Sequence, residues 1–131
     1  MNNLIKLSFF IFFFSCVNNV DYINNIKSDV IYLSDDKLEG RKTGTEGEKL
    51  AAKYISDRFE KLNLSSKGAT NYYQDFYFSN NSNPHEEIKF DNNISDNKIH
   101  ARNVIGLLDN GGENTVVIGA HYDHLGYGEE S

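Results

Sequence analysis

The sequence predicts an α/β domain, and three observations carry that expectation. Residues 20–33 and 50–62 space their apolar side chains three and four apart, as one face of a helix requires. Two short apolar runs, 104–108 and 115–120, come later, set apart by turn residues as the strands of a buried sheet are. The second run passes straight into His121. With 131 residues, 39% of them hydrophobic and 24% charged, the chain can hold one modest domain with an apolar core. Its 13 Lys and Arg stand against 19 Asp and Glu, a formal charge of −6, without any cluster of cations. That balance excludes nucleic acid as an expected partner, because phosphate binding is built on clustered Lys and Arg.

At the start of the chain, Lys6 is followed by the apolar run Leu7-Ser8-Phe9-Phe10-Ile11-Phe12-Phe13-Phe14. A charged start and a short apolar stretch form a secretory signal, too short to span a bilayer as a mature helix. Phe13-Phe14-Ser15-Cys16 resembles a bacterial lipobox, with a small residue before the Cys and Phe13 where Leu is more usual. The resemblance implies that residues 1–15 are a signal peptide and that Cys16 is lipidated. The protein would then be exported and anchored to a bacterial membrane, at its periplasmic or outer-membrane face. Cleavage by the general signal peptidase would release a secreted protein instead, and a buried N-terminal helix with an incidental Cys is the competing reading. Cys16 is the single cysteine, so no intrachain disulfide is available. Residues 16–22 are then a tether and 23–131 the domain.

Within the domain, Val20, Ile23, Ile26, Val30 and Leu33 mark the first helix. Residues 38–47 (LEGRKTGTEG) hold three glycines and read as a structured loop whose glycines serve backbone geometry. Thr45 and Glu48 stand at capping-box spacing and predict the start of a second helix. Leu50, Ala51, Tyr54, Ile55, Phe59 and Leu62 line its apolar face, and residues 63–68 end it. Residues 72–78 are aromatic-rich without Gly or Pro and predict a strand. A polar loop at 79–87 holds the single Pro, Pro84, before a short edge strand at 88–90 and a second polar stretch at 91–100. The runs 104–108 and 115–120, separated by a turn at 109–114, predict two buried strands. Nothing after the last run closes a sheet, so the chain reads as the front part of a larger domain.

Chemistry concentrates in Gly119-Ala120-His121-Tyr122-Asp123-His124-Leu125-Gly126. An imidazole at the carboxyl end of a buried strand stands where open α/β sheets place ligands. Asp123, two residues on, points the same way in extended backbone and can accept the second ring N–H of His121. The two are a plausible metal ligand and its orienting carboxylate. The same spacing also serves an ordinary surface hydrogen bond, and zinc takes three or four protein ligands. His85 and His100 fall in polar stretches and read as solvated, and His124 as a polar rim residue.

Several blocks resemble the M28 zinc peptidases in matching order across residues 22–128. Leu38-Glu39-Gly40-Arg41, Thr43-Gly44-Thr45-Glu46-Gly47 and Ala51-Ala52 with Tyr54-Ile55 look like that family's opening segment. Asn103-Val104-Ile105-Gly106 and the run from Val116 to Gly126 look like its first zinc-ligand strand, while 79–100 is the least recognisable part. The resemblance implies the N-terminal part of a mixed-sheet α/β sandwich and a zinc-dependent aminopeptidase acting on peptides. It makes His121 a ligand of one of two zinc ions and Asp123 the catalytic-site residue that orients it. It gives His124 no coordination, and the family's other ligands and its general base have no counterpart up to Ser131. The fragment alone is then expected to be inactive. Two other readings remain: a glutaminyl-cyclase-like zinc acyltransferase of the same fold, and a non-catalytic lipoprotein that uses the fold as a binding module.

Overall fold

The computed structural model describes residues 19–79, 90–91 and 98–128. Residues 1–15, read as a signal peptide, and Cys16, Pro84 and His85 lie outside the described residues. Helix α1 spans Asn19–Leu33, so the last four residues assigned to the tether are helical. A 3-10 turn at Asp36–Arg41 leads to helix α2 at Glu46–Lys61. Strands β1 (Ser65–Ser66), β2 (Tyr73–Ser79), β3 (Phe90–Asp91), β4 (Lys98–Val104) and β5 (Gly106–Leu107) follow. Both sheets are antiparallel: β3-β2-β4 form one and β1-β5 a second. The fold is thus mixed α/β. No helix among the described residues is long and apolar enough to cross a membrane.

Small residues set the packing. Among the described residues Leu38, Ala51, Ala52 and Ala101 are the buried apolar side chains, drawn from the 3-10 turn, α2 and β4. Two successive alanines, both fully buried, let α2 come close to its neighbours. Gly47 takes this to the limit, because a Cβ there would lie 1.8 Å from the Leu38 carbonyl oxygen. The capping box expected from Thr45 and Glu48 is only partly made. Thr45 stands at the N-cap without a side-chain cap bond, its hydroxyl donating to the Lys42 carbonyl at 2.6 Å. Glu48 turns back one residue further than the motif requires and accepts from the Gly44 amide at 3.2 Å.

The apolar stripe expected on α1 does not drive its packing, since Ile23, Ile26 and Val30 are largely exposed. Polar and aromatic contacts join α1 to α2 instead. Tyr32 stacks on Tyr54 with centroids 3.9 Å apart, and Tyr54 donates its hydroxyl to Asp29 at 2.6 Å. Arg58 pairs with the same carboxylate at 2.8 Å. Burial, reinforced by the bond to Asp29, pushes the Tyr54 phenol up to about 12.

The aromatic strand expected at 72–78 is present as β2. Its partner β4 begins at Lys98, inside a stretch read from its polarity as loop. The sequence KIHARNV alternates, and pairing with β2 fixes it as a strand: Phe76 faces Ala101 and Phe78 faces Ile99 on one side. On the other side Asp75 meets Arg102, and Tyr77 meets and stacks on His100. His100 is therefore no free loop residue, for its Nε2 lies 2.8 Å from Asp75. The run 104–108 divides at Ile105, closing β4 before it and forming β5 after it. Residues 115–120 form no strand, and Val116, Val117 and Ile118 are 85%, 89% and 90% exposed. The physical reason is an absent neighbour: among the described residues no backbone pairs with this run, and an apolar segment is buried only where another surface meets it.

Candidate functional site

In the segment after Ala120 the side chains of His121 and Asp123 meet each other, while Tyr122 between them reaches a different set of partners. His121 and Asp123 share one side. Their contact is 3.1 Å between Nδ1 and Oδ1, on an imidazole whose side chain is 95% exposed. The other Asp123 oxygen, Oδ2, accepts the Thr43 hydroxyl at 2.9 Å. Partial burial by itself would raise the Asp123 carboxyl, but the bonds from Thr43 and His121 outweigh it and hold the group below the usual carboxylate range.

Tyr122 points the other way, into the protein. Its hydroxyl lies 2.7 Å from a carboxylate oxygen of Glu48 and 2.6 Å from the Arg102 carbonyl. Burial first, and then the Glu48 carboxylate, push this phenol far up, so it stays a neutral donor. Glu48 is itself only 2% exposed, and it joins Tyr122 to the Gly44 amide.

The loop at 38–47 is the scaffold of this segment. The Arg41 guanidinium donates to the Tyr122 carbonyl at 2.7 Å and also to the Leu33 carbonyl at the end of α1. The carbonyls of Arg41 and Gly40 accept from the amides of His124 and Gly126, at 2.9 and 3.1 Å. Gly40 has a φ of +63°, and a Cβ there would lie 2.4 Å from the Gly126 carbonyl oxygen. Two chain segments can approach this closely only through glycine.

The sequence reading paired His121 with Asp123, and the structure brings them together. His124 stands apart, its Nδ1 accepting from the Leu125 amide at 2.7 Å. Sequence reasoning found no catalytic task for residues 38–47 and missed Arg41, Thr43, Glu48 and Tyr122 as the surroundings of the pair. These contacts link positions 74 to 81 apart in the chain, so no local spacing reveals them. The available signal was the density of polar residues and glycines in RKTGTEG, which a loop without partners would not need.

As a metal donor set, the pair fits one ligand position. An imidazole whose Nδ1 is held by a carboxylate presents Nε2 for coordination. Among the described residues no group of three His, Cys, Asp or Glu gathers, while a catalytic zinc takes three protein ligands. Comparison with protein-family models, curated proteins and solved structures gives no significant match for this chain.

Proposed function

We propose that this chain is part of a zinc-dependent exopeptidase of the aminopeptidase type, resembling the M28 peptidases. His121 is the ligand of one of two zinc ions, and Asp123 is the residue that orients it. One observation supports the reading above the others: Asp123 divides its two oxygens between His121 and Thr43, so the imidazole is oriented by a carboxylate that is itself held. Zinc, when bound, supplies Lewis-acid polarisation of the peptide carbonyl and makes a water acidic enough to attack near neutral pH. The residues of this chain do the positioning. Asp123 keeps the proton on Nδ1 of His121 and leaves Nε2 for the metal, and Tyr122 and Arg41 hold the backbone between them in register.

The described residues supply a single ligand, so the remaining ligands and the general base lie outside them. On this proposal the chain by itself is expected to bind zinc weakly and to show no hydrolysis. In the same proposal Cys16 carries the lipid that ties the exported enzyme to a bacterial membrane, with peptides as its substrates. The test is hydrolysis of an aminoacyl substrate by the protein expressed from its complete reading frame. Activity should vanish on chelation and return with zinc; hydrolysis indifferent to chelators, or none in the zinc-loaded protein, would sink the proposal. Intact-mass analysis of membrane-extracted protein checks the anchor, and an unmodified N-terminus elsewhere than Cys16 would remove it.

A further inference from the structure

We propose that Thr43 is a positioning residue for the His121–Asp123 pair: its hydroxyl holds the Asp123 carboxylate in the orientation that meets the ring, and so strengthens the preference for the proton on Nδ1. The inference rests on the reading of His121 as a metal ligand, and it concerns a residue that the sequence motif around His121 does not contain.

The argument starts from what could otherwise orient the ring. The His121 side chain is 95% exposed, so packing does not hold it, and its one described polar contact is Asp123. An Asp carboxylate turns easily about its last bond, since that torsion is broad. A second hook on the far oxygen removes this freedom. Thr43 supplies it at 2.9 Å, on a β-branched side chain with few rotamers of its own. Thr43 is fixed in turn by its neighbours. The Gly44 amide donates to buried Glu48, and Lys42 forms a parallel bridge with His124. The relay therefore runs from the α2 N-terminus through Thr43 and Asp123 to Nδ1. With Nδ1 as the donor, Nε2 keeps the lone pair that a metal needs.

The tautomer can be read without any metal, by ring-nitrogen NMR of the histidine-labelled protein, stripped of metal, at a pH of about 8.5, where free imidazole is neutral. The wild-type ring of His121 should be mainly Nδ1–H. Thr43→Val, which keeps the shape, and Thr43→Ala, which relieves any crowding, should each lower the ratio of Nδ1–H to Nε2–H about five-fold, the weight of one ordinary hydrogen bond. Thr43→Ser, which restores the hydroxyl, should return the wild-type ratio. A wild-type ring that is mainly Nε2–H would overturn the proposal, as would a ratio unmoved in both Val and Ala variants. So would a Ser variant that behaves like Val. Collapse of amide dispersion in both Val and Ala variants would also overturn it, by showing that Thr43 supports the fold instead of the ring. Failure of the zinc reading looks different: the tautomer bias would respond to Thr43 as stated, while zinc content of the complete protein stayed unchanged on His121→Ala.

Discussion

His121 stands at the border of two segments with opposite make-up. Residues 115–120 lead into it and are mainly apolar, yet Val116, Val117 and Ile118 lie open to solvent. Residues 122–126 follow it and include Tyr, Asp and His, yet bonds to Gly40, Arg41, Thr43 and Glu48 tie them down. Apolar composition places a segment only when a second apolar surface meets it. Hydrogen-bond complementarity across the chain places the polar one without such a surface, because each buried donor and acceptor is costly to leave alone. The candidate site is thus anchored from behind, by the glycine-rich loop, and not from the run that precedes it.

The comparison breaks most severely at Gly40. Gly40→Ala forces a side chain into a left-handed backbone position and into the Gly126 carbonyl, so the loop and the site segment must part. A loss of about 2–4 kcal/mol is expected, measured by chemical denaturation. Tyr122→Phe comes next. It leaves Glu48 and the Arg102 carbonyl without their hydroxyl partner and should cost about 1–3 kcal/mol by the same measurement. Substitution in the leading segment should do least: Val117→Thr, at a side chain 89% exposed, should change stability by less than about 0.5 kcal/mol. A large loss there would mean that residues 115–120 are held as firmly as 122–126, and the contrast would fall.

The anchor also depends on α1, since Arg41 reaches the Leu33 carbonyl at its last residue. The latch between α1 and α2 is Tyr54 with Asp29, and the Tyr54 phenol is raised from its ordinary value of 10 to about 12. A raised folded-state value stabilises the fold fully below pH 10 and loses that contribution as pH rises through 12. Thermal denaturation across this window, with Tyr54→Phe as the control, should show an alkaline loss that is smaller in the variant than in the wild type, the remainder coming from groups such as Tyr122.

What was legible in the sequence follows the range of the interaction. Helix α2 was readable because its periodicity and end signals are local, and β2 because a run of aromatics without Gly or Pro has few alternatives. The His121–Asp123 contact was readable because it joins residues only two apart in the chain. β4 was hidden because Lys98, His100 and Arg102 make it look like loop, and pairing with β2 is what selects it. The burial expected of 115–120 failed for the converse reason: a local apolar pattern says that a segment can be buried, while the covering surface is a tertiary fact. The service of residues 38–47 to the site was equally tertiary, carried by the Arg41 and Thr43 side chains together with backbone carbonyls that every sequence has.

As proposed, His121 binds metal and Asp123 acts through it. Metal content and turnover, measured on the same preparations of the complete protein, test it most directly. His121→Ala should lose or greatly weaken one zinc and abolish hydrolysis. Asp123→Asn should keep zinc with affinity or activity reduced about 10–100-fold, and His124→Ala, at a ring already occupied by the Leu125 amide, should be milder than either. Full zinc stoichiometry and full rate in His121→Ala would contradict the account.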